Sequence, residues 1–242
     1  MKMTDVTKPA RKLLNLKLKR CGAVIVAAGS ASRMGGIDKV MAPLGGEPMI
    51  ARTVRAFQEC DAISEIVIVT REDLIQPIMG LCRSFAKVRA VVAGGKSRQE
   101  SVSLGLNALS EKVKLAAIQD GARPLVDWQL IDRVVRAANS YHAAVPVIPV
   151  KDTIKVAPLG LVESTPDRST LRAVQTPQVF DFDLLRGALK MAFEDGTVLT
   201  DDCSAVERLG MKPKIVDGDE RILKVTTPFD LKIAELLMEE KG

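Results

Sequence analysis

The sequence predicts an α/β protein with a doubly wound, mostly parallel sheet and a protruding β arm. Three observations predict it. Short β-branched runs alternate with longer amphipathic segments, the rhythm of strand–helix–strand units. The runs are nearly continuous in apolar residues, as strands covered on both faces are. One stretch, residues 151–179, has four prolines or glycines (Pro158, Gly160, Pro166, Pro177) and no helical period, and it breaks the rhythm.

In chain order, an apolar strand at 23–28 is followed by an amphipathic helix at 48–60. A strand at 65–70 then leads to a helix at 74–84, and a strand at 88–93 to a helix at 97–109. The strand at 115–119 feeds a helix at 128–139, and the strand at 143–150 runs into the irregular stretch. Helices at 181–192 and 201–208, strands at 214–217 and 223–226, and a helix at 228–239 complete the pattern. Within the irregular stretch, TIKVAP and LGLVEST read as a hairpin turning near Pro158–Gly160. Residues 152–175 are the expected β arm, reaching out of the body toward another subunit.

The 242 residues, 47% hydrophobic and 27% charged, suit one soluble globular domain at 21–242 behind a basic extension at 1–20. The net charge of +5 belongs to that extension. It carries seven basic side chains and one acid, so the body sums to −1. Nucleic-acid binding and membrane association are not expected: the body has no basic face. Eight aromatic residues are too few for a stacking platform, and no apolar run nears the ~20 residues of a membrane span. The apolar run 23–28 is shorter than the ~7–15 residues of a signal-peptide core and flows into a glycine turn, so export is not expected. Cys21, Cys60, Cys82 and Cys203 are scattered, as reduced buried thiols of a cytoplasmic protein would be. His142 is the sole histidine, so a histidine metal cluster is not expected, and a Ser–His–Asp triad is not expected because His142 would have to serve alone.

In a parallel sheet the ligand sits at the carboxyl ends of the strands, so the residues after each strand form the site. After the first come Ala27, Ala28 and Gly29, small enough for backbone to approach a phosphate, then Arg33 and Lys39 as cations. The segment matches neither the dinucleotide fingerprint nor a Walker A loop. Arginine and lysine at these offsets favour a triphosphate site over a plain tight turn. After the third strand, AGGKSRQESV places Gly95 before a helix and Ser101 one turn into it, a cradle for a base or ribose, or else a capping segment. After the fourth, Asp120 ends an apolar run, where a lone carboxylate needs a cation or hydrogen bonds. It is the candidate Mg²⁺ ligand, with a turn or cap role as the competing reading. Lys151–Thr153, Asp167–Gln178 and Ile222–Asp230 mix cations with hydroxyls, as sugar-phosphate sites do.

Taken together, VAAGSASRM with Lys39, GGKSRQESV, DGARP, the DT of KDTIK, the DR of TPDRS, QTPQVF, TDD and KVTTPFDL resemble the 2-C-methyl-D-erythritol 4-phosphate cytidylyltransferase family. The likeness runs from about residue 22 to 240. It implies a Rossmann-like nucleotidyltransferase fold and transfer of a cytidylyl group from CTP, with Mg²⁺. It implies transition-state stabilisation by Arg33 and Lys39, and positioning of the incoming phosphate by Arg168 and Lys224. Ala27, Ala28, Gly29, Gly95, Ser101, Asp120 and Gly121 would surround the nucleotide. Arg123, Asp152, Thr153, Arg168 and Thr176 would contact the alcohol phosphate. It also implies a homodimer in which the arm carries Arg168 into the neighbour's site. Ala31, Asp38 and Ile222 depart from the family's usual glycine, proline and asparagine, and a polar contact near Lys224 is expected to be missing. Ribitol 5-phosphate cytidylyltransferase has nearly the same motifs and differs at the alcohol pocket. A non-catalytic nucleotide- or RNA-binding protein using the basic arm is the reading from another class.

Overall fold

In the computed structural model, which describes residues 17–29 and 39–239, the chain folds around an eight-stranded sheet. Its strands are β1 (Cys21–Val26), β4 (Ile63–Thr70), β5 (Val88–Ala93), β6 (Leu115–Asp120), β7 (Ala143–Pro149), β8 (Arg172–Val174), β9 (Gln178–Asp181) and β10 (Lys214–Asp217). The strand order is β10-β7-β9-β6-β1-β4-β5, with β8 along the outer part of β7. A two-stranded hairpin of β2 (Pro43–Leu44) and β3 (Glu47–Pro48) stands apart. Pairing is parallel between β1 and β4, β1 and β6, β4 and β5, and β7 and β10. It is antiparallel wherever β8 or β9 takes part.

Burial explains the strand composition. In β1, Ala23 and Ile25 join a core on one face, while Val24 joins the core on the other. The first face is covered by α1 (Met49–Glu59), α2 (Ile75–Leu81) and α4 (Trp128–Tyr141), through Val54, Phe57, Ile78 and Val134. The second is covered by α3 (Arg98–Ala108), α5 (Phe182–Glu194) and α6 (Asp202–Glu207), through Val102, Leu106, Leu185 and Val206. The final helix, α7 (Pro228–Glu239), packs Ala234 into a small third cluster with Leu44, Met49 and Val225. A parallel strand buried on both sides has no polar face, hence the continuous apolar runs.

The topology reverses at β1. From β1 the chain winds outward through β4 and β5, then returns to place β6 on the other side of β1. The registers align the strand ends: Val26 pairs with Val69 and with Asp120, and Thr70 pairs with Ala93. The turns after β1, β5 and β6 therefore meet at one rim, at the switch point where open α/β sheets bind ligands.

Three expectations change. Residues 223–226 are not a strand. Val225 gives its N–H to the Ala122 carbonyl and Thr226 its N–H to the Asp230 carboxylate, both at 2.8 Å, so neither donor enters a strand ladder. The irregular stretch ends in β9, inserted antiparallel between β6 and β7. Four residues are too few to carry a period, so sequence pattern missed it. The arm is less regular than a hairpin: Val156 and Ser164 make one isolated bridge, with Gly160 at φ +80° in the turn. His142 takes the left-handed cap of α4 (φ +68°), with an exposed side chain. The four cysteines are free and buried, and burial pushes the Cys82 thiol up to about 11.

Candidate active site

Sheet registry sets the floor of the site. Ala27 N–H donates to the Val69 carbonyl at 2.7 Å, and Gly121 N–H donates to the Val26 carbonyl at 2.9 Å. Gly94 N–H donates to the Thr70 carbonyl at 2.7 Å. The turns after β1 and β5 touch: a Cβ on Gly94 would lie 2.4 Å from that of Ala28. Glycine is required there because the backbones approach this closely.

The capping reading of AGGKSRQESV holds. Ser97 caps α3, its hydroxyl accepting the Glu100 N–H at 3.0 Å. The buried Ser101 hydroxyl accepts the Gly95 N–H at 3.1 Å and donates to the Ser97 carbonyl at 2.9 Å. Ser101 thus fixes the shape of the glycine turn while lining the cleft beside it.

That cleft has a volume of about 440 Å³. Of the residues singled out from sequence, Ala27, Ala28, Gly29, Lys39, Gly95, Ser101, Asp120 and Lys224 line it. Gly121 and Thr176 lie behind the wall; the Thr176 hydroxyl accepts the Asp120 N–H at 3.1 Å. Arg123 does not reach into the cleft. It donates to the Asp120 carboxylate at 3.4 Å and to the Ile222 carbonyl at 2.9 Å. Asp152, Thr153 and Arg168 are exposed on the arm, where Arg168 donates to the Lys151 carbonyl at 2.6 Å. Arg33, Ala31 and Asp38 lie outside the described residues. The Ile222 side chain is buried in the core, and the polar contacts near Lys224 come from the Ile222 backbone carbonyl instead.

Charge in the cleft is organised around Asp120, which is only 8% exposed. Lys224 Nζ lies 2.9 Å from its Oδ2, and Arg98 Nη2 lies 3.7 Å from its Oδ1. Burial alone would push this carboxyl up. Lys224, Arg98 and Arg123 together outweigh that and hold it below the ordinary range, ionised.

Sequence reading missed Arg98, Lys96 and Ser97, which line the same cleft, and Asp202 behind them. Arg98 pairs with the buried Asp202 at 2.7 Å. Desolvation works against the guanidinium charge, but Asp202 holds Arg98 charged, above its usual range. The signal was present: a cation in the first turn of a helix opposes the helix dipole, so Arg98 requires an acid partner. The TDD segment supplies it.

The donor set suits a divalent cation only in company. Asp120 is a single carboxylate, and no cluster of three or more metal-ligating side chains occurs among the described residues. Mg²⁺ commonly binds one or two carboxylates and completes its shell with phosphate oxygens and water, so this site fits Mg²⁺ bound together with a nucleotide.

A mostly parallel sheet with small-residue turns and cations gathered at its switch point is the architecture of an α/β nucleotidyltransferase-like fold. The IspD family model, described as 2-C-methyl-D-erythritol 4-phosphate cytidylyltransferase, matches residues 21–240. A relative of that name from Symbiobacterium thermophilum is 46% identical over 221 residues, covering 90% of this chain and 93% of its own. Another from Dehalococcoides mccartyi is 43% identical over 225 residues, covering 92% and 97%. A crystal structure of 4-diphosphocytidyl-2C-methyl-D-erythritol synthase from Anaerococcus prevotii matches with a TM-score of 0.83 at 29% identity, covering 91% and 96% of the two chains. That of 2-C-methyl-D-erythritol 4-phosphate cytidylyltransferase from Thermus thermophilus matches with a TM-score of 0.75 at 32% identity, covering 89% and 98%. The chain belongs to the 2-C-methyl-D-erythritol 4-phosphate cytidylyltransferase family.

Proposed function

We propose that the chain carries out the family's reaction at this cleft. CTP and 2-C-methyl-D-erythritol 4-phosphate give 4-diphosphocytidyl-2-C-methyl-D-erythritol and pyrophosphate, a step of non-mevalonate isoprenoid synthesis. The observation that carries the reading is the convergence of Lys39, Lys224 and Asp120 on one cleft at the switch point.

A phosphate monoester has a second pKa near 6, so the incoming nucleophile is already anionic at neutral pH. Its oxygen bonds to the α-phosphorus as the α–β bridging bond breaks, and that electron pair leaves with pyrophosphate. No side chain has to take a proton. The protein must align the two phosphates and compensate charge. Lys39, with Arg33, stabilises the transition state; Lys224, with Arg168, positions the incoming phosphate. Ala27, Ala28, Gly29, Gly95, Ser101, Asp120 and Gly121 enclose the nucleotide. Arg123, Asp152, Thr153 and Thr176 serve the alcohol-phosphate side, Arg123 and Thr176 through their bonds to Asp120. Asp120, together with phosphate oxygens, would hold Mg²⁺, which would supply positive charge to the triphosphate.

The arm makes the working unit a homodimer. Leu159 at its tip is 91% exposed and Leu161 80%, apolar surface that a second copy would cover. Free, buried thiols fit a reducing cytoplasm. The body from 21 onward acts as one domain, and the end of the expected extension belongs with it: Leu18 packs on the core, and Lys19 bonds the Asn139 side chain and the Asp181 carboxylate, each at 3.0 Å.

The test is pyrophosphate release from CTP with each of two alcohols. Turnover with methylerythritol phosphate well above that with ribitol 5-phosphate is expected. Preference for ribitol 5-phosphate would overturn the substrate, and no CTP-dependent turnover with either would overturn the reaction.

A further inference from the structure

Gln175 is buried at the foot of the arm, one residue beyond β8, and its backbone N–H donates to the Pro146 carbonyl of β7 at 2.8 Å. Its side chain crosses to a different segment. Nε2 donates to the carbonyl of Asp219 at 2.8 Å and to that of Ile222 at 3.3 Å, and Oε1 accepts the Asp219 N–H at 3.2 Å. One amide thus satisfies both backbone groups of residue 219, as a neighbouring strand would. The segment it holds, 218–222, runs two residues later into Lys224. From the other side Arg123 also bonds the Ile222 carbonyl. Gly218 closes over the same amide: a Cβ there would lie 2.3 Å from Gln175 Oε1. The next residue, Thr176, accepts the Asp120 N–H. Two consecutive residues at the arm's foot therefore hold the segment that leads to Lys224 and the strand end that carries Asp120.

We infer that Gln175 is a positioning residue for cytidylyl transfer: its amide clamps residues 218–222 so that Lys224 stands over the cleft, and it ties that lysine to the base of the arm. The inference rests on the reading of Lys224 as a working cation. Lys224 has a long side chain, 41% exposed, and its ammonium meets Asp120 at 2.9 Å, so the placement of its backbone decides whether it can hold that partner and still face the cleft. A displacement of about 1 Å at a reacting group costs up to about 10²-fold in rate.

The test is a double-mutant cycle between Gln175→Met and Lys224→Ala, read by steady-state kinetics. Methionine keeps the length and loses all three hydrogen bonds. Gln175→Met should lower kcat about tenfold while leaving KM for CTP within about twofold, and should add less than about twofold once Lys224 is alanine. Gly218→Ala, which presses on the same amide from the other side, should reproduce the loss and be suppressed in the same way. It also carries the test if Gln175→Met fails to fold. An equal loss with and without Lys224, or wild-type kcat in both variants, would overturn the role of Gln175 while leaving Lys224 in place. Full activity of Lys224→Ala alone would overturn the reading of Lys224, and this inference with it.

Discussion

At Asp120 three cations compete for one carboxylate, and that competition sets the chemistry of the cleft. Lys224 and Arg123 share its Oδ2 while Arg98 approaches Oδ1. Because these charges depress its pKa, the contribution of Asp120 to stability is complete above the unfolded value of about 3.9 and is lost as pH falls through the lower folded value. The melting-temperature gap between wild type and Asp120→Asn should therefore be constant from pH 5 to 7 and shrink below about pH 4; a gap that widens in acid would reverse the sign. Asp202 does different work. It is the buried counterion of Arg98, and Asp202→Asn strands a guanidinium that is only a third exposed. Breaking such a pair costs about 3 kcal/mol, or roughly 6–12 °C of melting temperature in a chain this long, measurable by calorimetry. A shift under about 2 °C would mean that Arg98 finds Asp120 at no cost. Lys39→Ala should lower kcat about 10²-fold and change CTP affinity far less, the pattern of a group that acts in the transition state. Weakened CTP binding with unchanged kcat would move Lys39 to ground-state binding.

Among the elements, α3 bears most directly on the site, because its cap and first turn form one wall of the cleft. It lies unusually close to the sheet: a Cβ on Gly105 would sit 2.3 Å from Val24 Cγ1 and 2.8 Å from Val69 Cγ2. Alanine at 105 gains about 1 kcal/mol in helix propensity. It pays about 1–3 kcal/mol for overpacking against two β-branched residues with stiff rotamers. A net loss of about 1 kcal/mol in urea denaturation is expected, with weaker CTP binding as the wall shifts; a stabilised variant would contradict the packing. The strands buried on both faces were legible from sequence because burial leaves one pattern, unbroken apolar residues. The capping segment at Ser97 was legible because a hydroxyl follows a glycine pair at the start of a helix. β9 and the irregular course of 223–226 were not, since each is decided by distant partners: β6 and β7 for one, the Asp230 carboxylate for the other. The site divides in the same way. Residues after strands, such as Lys39 and Asp120, follow from the rule that ligands sit at strand ends. Arg98 and Asp202 are a pair 104 residues apart: the helix-start arginine signals that an acid is needed, and the fold identifies which one by bringing the first residues of α3 and α6 together.

For the whole molecule, the body's charge is near zero, and the cleft departs from that balance: Lys39, Lys96, Arg98 and Lys224 line it with Asp120 as the one acid, a local excess of positive charge where a triphosphate would lie. Removing residues 1–16 should then leave CTP-dependent turnover within about twofold, and a collapse of activity in a folded truncation would give the basic extension a role. The arm is the other property of this scale. If it carries Arg168 into a second copy's cleft, mixing inactive Lys39→Ala with inactive Arg168→Ala should restore activity, because half of the mixed dimers' sites receive both intact residues. Verified mixed dimers that stay inactive would confine each site to one chain. The account as a whole stands on cations gathering around a nucleotide's phosphates at the reversal of the sheet. A crystal structure with CTP and Mg²⁺ tests that most directly. It should show the triphosphate within hydrogen-bond reach of Lys39 and Lys224, with the nucleoside against the Gly95–Ser101 wall. A nucleotide bound elsewhere, or in this cleft with its phosphates turned away from both lysines, would contradict it.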